Sequence, residues 1–185
     1  MKILALGDSL TEGYIDNHTE TFYPYTNTLQ SLLKVPVDNQ GVSGERTGPM
    51  LARLRQINKG DYTHAVILAG TNDLDTRMQV STIVRNVIQM HLYCLKRLGV
   101  ERTYCLSIPE VILGGKKRFQ RKRKAINKEL YAFAQGRSDV VYVPFAEFVS
   151  DEFKTKSFSG NGWHFSKDGY KRMGRFVAKY QKNAR

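Results

Sequence analysis

This chain has few cysteines, a shortage of acids and no long apolar run. Its two cysteines, Cys94 and Cys105, stand apart with neither metal-ligand nor redox spacing around them. That excludes a disulfide framework and a thiolate zinc site, and it reads as reduced core thiols in a cytoplasmic protein. Four scattered histidines, His18, His64, His91 and His164, add no ligand cluster, so no metal or other cofactor is expected. No stretch approaches the roughly 20 apolar residues of a membrane-spanning helix. Ile3 to Leu6 is a short apolar stretch, well below the apolar region of a signal peptide. Internal repeats, low-complexity tracts and linkers are lacking too. Acids number 17 against 29 Lys and Arg, a net charge of +12. An anionic partner therefore has to be considered, but charge alone does not choose among nucleic acid, acyl-CoA and a membrane surface.

Much of that excess is local: Lys116 to Lys124 carries seven cations in nine residues. Two readings stand, a solvated helix start or a site for an anionic ligand. Phe119 is the one aromatic interleaved there and no RNA or DNA motif surrounds it, which argues against nucleic acid as the partner.

What the chain does have is a β-α alternation. Apolar, partly β-branched runs occur at Ile3–Leu6, Val35–Val37, Ala65–Ala69, Thr103–Ile108 and Val140–Val143. Helix-period segments lie between and after them, at 22–34, 47–59, 76–98, 118–135 and 167–182. Alternation of this kind predicts a parallel sheet with helices on both faces and right-handed crossovers. The expected fold is α/β: a three-layer, doubly wound, five-stranded parallel sheet in the flavodoxin-like order 2-1-3-4-5. A chain of 185 residues, 41% hydrophobic, suits one domain over 1–185. Gly99 should stop the long helix at 76–98, and Ser166 should cap the last one, with Asp168 in its first turn. On this pattern His91 is a core or boundary residue, whereas His18 and His64 fall at the surface or a strand edge.

Chemistry concentrates in four short segments: Gly7-Asp8-Ser9-Leu10, Asn39-Gln40-Gly41-Val42-Ser43-Gly44, Gly70-Thr71-Asn72-Asp73 and Asn161-Gly162-Trp163-His164. The first three each follow a predicted strand, at the sheet edge where open α/β folds bind ligands. A serine becomes a nucleophile when a neutral imidazole takes its proton, and the oxyanion that develops needs preorganised N–H donors. Ser9 and His164 supply the first pair. Gly44, which can bring a bare backbone N–H close to a ligand, and the Asn72 amide supply donors. Asp8 fits either ordering of the nucleophile turn or contact with substrate, and Trp163, beside His164, is a second candidate for substrate contact. Tyr14, Phe22, Tyr23 and Tyr25 either wall an acyl pocket or cover the core.

In these blocks, taken in order from Leu6 to Gly174, the chain resembles the SGNH or GDSL hydrolase superfamily. The resemblance implies hydrolysis of carboxylic esters or thioesters of small to medium acyl substrates through an acyl-enzyme on Ser9. His164 would act as base and then acid, and Ser9 N–H, Gly44 N–H and the Asn72 amide would form the oxyanion hole. It implies no metal. Removal of acetyl groups from carbohydrate is a rival within the same chemistry. The segment from Pro109 to Arg118 should shape specificity.

One position departs from the family pattern. Where the family has Asp three residues before the histidine, this chain has Asn161. In serine proteases the corresponding exchange lowers turnover about 10⁴-fold. Three explanations are open: a Ser-His dyad or a borrowed acceptor such as Asp151, Glu152 or a backbone carbonyl; a weakened site kept to bind an anionic partner such as nucleic acid, phospholipid or acyl-CoA, or a deliberately introduced substitution; or deamidation at the Asn161-Gly162 step.

Overall fold

The interior strands of the central sheet are apolar on both sides because both sides are covered. In β1 (Ile3–Gly7), Ile3 and Ala5 join one buried cluster while Leu4 and Leu6 join the other. This is the burial that turns a strand into a continuous apolar run. The computed structural model describes residues 1–15, 21–110, 117–152, 158 and 162–182, with the side chains of 150–152 and 182 left aside. The 111–116 part of the expected specificity loop, Lys116, His18, Asn161 and the side chains of Asp151 and Glu152 fall outside the described set.

Along the chain, β1 leads into the short α1 (Ser9–Glu12) and a small antiparallel hairpin, β2 (Tyr14–Ile15) with β3 (Thr21–Phe22). Then come α2 (Tyr25–Leu33), β4 (Val37–Gly41), α3 (Thr47–Leu54), β5 (His64–Leu68) and α4 (Val80–Tyr93). The chain finishes with β6 (Arg102–Leu106), α5 (Lys117–Gln135), β7 (Val140–Val143), α6 (Phe145–Glu152) and α7 (Lys167–Lys182). The main sheet is wholly parallel in the order β4-β1-β5-β6-β7, the expected flavodoxin-like arrangement. One face packs on α3, α4 and α5 through Met50, Leu54, Ile83, Val87, Ile126 and Leu130. The other packs on α2, α6 and α7 through Leu29, Phe145, Tyr170, Met173 and Val177. Among the described residues no helix is long and apolar enough to cross a membrane.

The second strand departs from expectation. Val35–Val37 was the expected run, yet the strand is Val37–Gly41, five half-buried and mostly polar residues. As an edge strand it pairs with β1 alone, and its polar side chains find partners. Asn39 Nδ2 donates to Thr11 O at 2.9 Å and to Thr26 Oγ1 at 3.2 Å. Arg53 donates to the Gln40 carbonyl at 3.0 Å, and the Tyr62 hydroxyl donates to Asp38. Pro36 lacks an N–H but its carbonyl still accepts from Ile3 N at 3.0 Å, so Val35-Pro36 is the lead-in.

Helix ends differ as well. The segment expected at 47–59 stops at Leu54, and the one at 76–98 begins at Val80 and passes into a π-helical turn, Cys94–Leu98, before Gly99. Helices α1 and α6 and the β2-β3 hairpin add elements absent from the sequence reading. Both cysteines are free and buried, and burial pushes each thiol up to about 12. His91 is buried as expected, its Nδ1 2.8 Å from Thr103 Oγ1.

Candidate active site

The strand ends gather the predicted residues at one edge of the sheet. At the end of β1 the backbone turns sharply from strand into α1. A Cβ on Gly7 would lie 2.1 Å from Thr11 Oγ1, and one on Gly41 would lie 2.1 Å from Glu12 N. Only glycine lets α1 fold this tightly across the ends of β1 and β4. Asp8 is the helix N-cap, its carboxylate accepting the Leu10 N–H at 3.0 Å. Ser9 follows as the first helical residue.

His164 Nε2 lies 3.0 Å from Ser9 Oγ, across 155 positions of sequence. The Tyr14 and His164 rings meet in a T-shaped contact with centroids 4.9 Å apart. Tyr170, buried in α7, donates its hydroxyl to Tyr14 O at 2.7 Å, with Ser9 O at 3.4 Å. Helix α7 thus holds the Ser9 to Tyr14 segment while its entry supplies the histidine. Ser166 caps it, accepting the Gly169 N–H at 3.2 Å, and Asp168 pairs with Arg172 at 2.7 Å rather than turning to His164.

Two further loops complete the edge. Gly44 has a φ of +75°, and a Cβ there would meet nothing within 4 Å, so its exposed backbone faces open space. Its neighbours are tied down: Ser43 N donates to Glu12 Oε2 at 2.8 Å, and Glu45 pairs with Arg53 at 2.6 Å. Asn72 sits in the one-turn 3₁₀ segment Thr71–Asp73 after β5, and its Nδ2 donates to Glu45 O at 3.0 Å. The loops bearing Gly44 and Asn72 are therefore bonded to each other. Asp73, fully buried, accepts from Thr47 N at 3.0 Å and Thr47 Oγ1 at 2.8 Å, capping α3 beneath them. Gly44, Arg46, Asn72, Asp75 and half-buried Trp163 line a small cleft of about 240 Å³. A larger groove of about 1150 Å³ between α5 and β7 is lined by Arg123 and Lys124 of the basic cluster but by none of Ser9, Gly44, Asn72, Trp163 and His164.

Asp8 is fully buried and does not line the cleft; as the cap of α1 it orders the nucleophile turn. Burial raises its carboxyl to about 7, helped by the charge of Asp73 and opposed chiefly by the hydrogen bond from Leu10 N–H. Of the aromatics, Tyr25 is core, Tyr14 touches His164, and Phe22 and Tyr23 are exposed, with Lys167 Nζ 4.4 Å from the Tyr23 ring centroid.

The basic cluster is divided. Lys117, Arg118, Arg121 and Lys124 are exposed, but Lys122 Nζ donates to Asp73 O at 2.7 Å and Thr76 O at 3.0 Å. Arg123 is buried and donates to Ile108 O at 3.3 Å and Gln120 Oε1 at 2.9 Å. Glu12, Tyr170 and Lys122 support the site without having been picked out for it in the sequence.

A family model, the GDSL-like lipase/acylhydrolase family, matches residues 5–172. The chain belongs to this family. Among solved structures, the lipase/acylhydrolase from Enterococcus faecalis is 24% identical, with a TM-score of 0.77 over 98% of this chain and 95% of that one. An aryl esterase from M. smegmatis is 17% identical, with a TM-score of 0.79 over 100% and 99%. A carbohydrate acetylesterase from Sinorhizobium meliloti is 18% identical, with a TM-score of 0.74 over 98% of each. At these identities the likeness is one of fold. No curated protein matches the chain.

Proposed function

We propose that this GDSL-family protein is a serine hydrolase that cleaves carboxylic ester or thioester bonds of small acyl substrates through an acyl-enzyme on Ser9. The observation that carries the reading is the 3.0 Å approach of His164 Nε2 to Ser9 Oγ. With its proton on Nδ1, His164 takes the Ser9 proton as Oγ attacks the substrate carbonyl. It returns that proton to the departing alcohol or thiol, then activates the water that releases the acid. Ser9 N–H belongs to the first turn of α1, where helix geometry supplies no acceptor, and with Gly44 N–H and the second Asn72 N–H it meets the oxyanion.

The cleft beside these donors is short and carries Arg46, Asp75 and Trp163, which favours a small acyl group on a polar alcohol. A carbohydrate acetyl ester is the second reading, resting on that lining. Initial rates on p-nitrophenyl acetate for the native protein and for Ser9→Ala test the first. A rate above buffer that vanishes in Ser9→Ala supports it; equal background rates, with octanoyl ester and acetylated sugar also unreactive, refute it. Faster turnover of an acetylated sugar than of the octanoyl ester favours the second reading over lipid-like substrates.

A further inference from the structure

We propose that Lys122 is a positioning residue of the oxyanion site, an ammonium that reaches from α5 to hold the loop carrying Asn72. The inference rests on the serine-hydrolase reading above. Lys122 lies in the second turn of α5, among exposed cations, yet its Nζ turns inward onto Asp73 O at 2.7 Å and Thr76 O at 3.0 Å. Charge-assisted bonds of this kind are about twice as strong as neutral ones. Burial works against the ammonium, and the nearby charges of Asp73 and Asp75 oppose that effect.

The two carbonyls it takes belong to a turn already closed on itself. Asp73 O also accepts from Thr76 Oγ1 at 2.7 Å and Thr76 N at 3.1 Å. Lys122 therefore joins a stiff turn to a long helix. Asn72 precedes that turn by one residue and bonds on its other side to Glu45 O. Its amide is held between Glu45 ahead and the anchored Asp73 behind. An ammonium is a compact donor able to serve two carbonyls at once, which a solvated surface lysine has no cause to do. Without it the turn is still closed but no longer fixed relative to α5, and the Asn72 amide loses its alignment with Ser9. A misplacement of about 1 Å at a reacting centre costs up to about 100-fold in rate.

The test compares Lys122→Met, which keeps the aliphatic stem, Lys122→Gln and Lys122→Arg, each alone and with Asn72→Ala. kcat and KM on p-nitrophenyl acetate are read well below each variant's Tm. Lys122→Met is expected to lower kcat about 10- to 100-fold with KM changed less than about twofold. Lys122→Arg should restore part of the loss. In the Asn72→Ala background Lys122→Met should add nothing further, because the group it positions is gone. An equal loss in both backgrounds, or no loss in a folded variant, overturns the proposal. Should Lys122→Met fail to fold, the same cycle run with Lys122→Gln decides it by the same criteria. Full activity in Ser9→Ala would overturn the hydrolase reading and this inference with it. Losses in Ser9→Ala and Asn72→Ala beside an unchanged Lys122→Met would overturn this inference alone.

Discussion

Glu12 takes two hydrogen bonds from a single residue: its Oε2 accepts the Ser43 N–H at 2.8 Å and the Ser43 hydroxyl as well. Glu12 ends the helix that Ser9 begins, and Ser43 precedes Gly44, so this carboxylate couples the serine to the Gly44 loop. Glu12→Ala should lower kcat on p-nitrophenyl acetate about tenfold by releasing that loop. The bond is exposed, so stability should fall by no more than about 1 kcal/mol. Paired kinetics and thermal unfolding check this; an unchanged kcat would show that the loop holds its position without Glu12.

Fold class was legible because four of the five strands are buried on both faces and so read as apolar runs. Val37–Gly41 was shifted because an edge strand is half-covered, and Asp38, Asn39 and Gln40 are satisfied by side-chain partners from distant elements. The approach of Ser9 to His164 was legible despite a separation of 155 positions, since each stands in its own short motif at a predicted strand or helix end. Lys122 was not. It stands in a run of cations, most of them solvent-facing, and what sets it apart from exposed Arg121 and Lys124 is the docking of α5 onto the Asp73 to Thr76 turn. Its spacing from Phe119 and Ile126 puts it beside the buried face of α5, but no pattern within the helix encodes which carbonyls it meets. Asp8, open in sequence between ordering the nucleophile turn and touching substrate, is a fully buried helix cap beneath a tight turn, a burial that sequence proximity to Ser9 does not encode.

The buried Asp8 carboxyl gives stability a defined pH dependence. In the unfolded chain it ionises near 3.8, and burial first, then the charge of Asp73, raises it to about 7 in the fold. Between those values the unfolded chain loses its proton and the folded one keeps it, so rising pH favours unfolding. The contribution is complete below about pH 4 and lost as pH passes 7, on the order of 4 kcal/mol. His91 runs the other way, lowered from 6.5 to about 3 by burial and then by the charge of Arg137, and its contribution grows as pH rises. Asp8→Asn keeps an acceptor for the Leu10 N–H, removes the ionisation and leaves His91 alone. The Tm of Asp8→Asn relative to wild type should therefore climb from pH 4 to pH 7.5. A difference constant across that range would mean that Asp8 does not ionise late.

Asn161 stands where the family pattern has Asp, three residues before His164. An amide oxygen accepting the Nδ1–H leaves the Nε2 lone pair facing Ser9, at the 3.0 Å seen here, and turnover survives. An amide NH₂ donating to Nδ1 instead puts the proton on Nε2 and removes the base. In neither orientation does a neutral amide stabilise the imidazolium formed as Ser9 attacks, which is what a carboxylate adds. Asn161→Asp should therefore raise kcat on p-nitrophenyl acetate by at least about tenfold, with about 10⁴ as the ceiling, and leave KM nearly unchanged. It should also move the acidic limb of the kcat/KM profile to higher pH, because a neighbouring carboxylate favours the charged imidazole. Ser9→Ala combined with Asn161→Asp must be inactive, which excludes a contaminant. Peptide mapping of the wild type guards against prior deamidation at Asn161-Gly162, which would create the acid in advance. Equal rates for wild type and Asn161→Asp, with Asn161 intact, would assign the orientation of His164 to an acceptor other than residue 161.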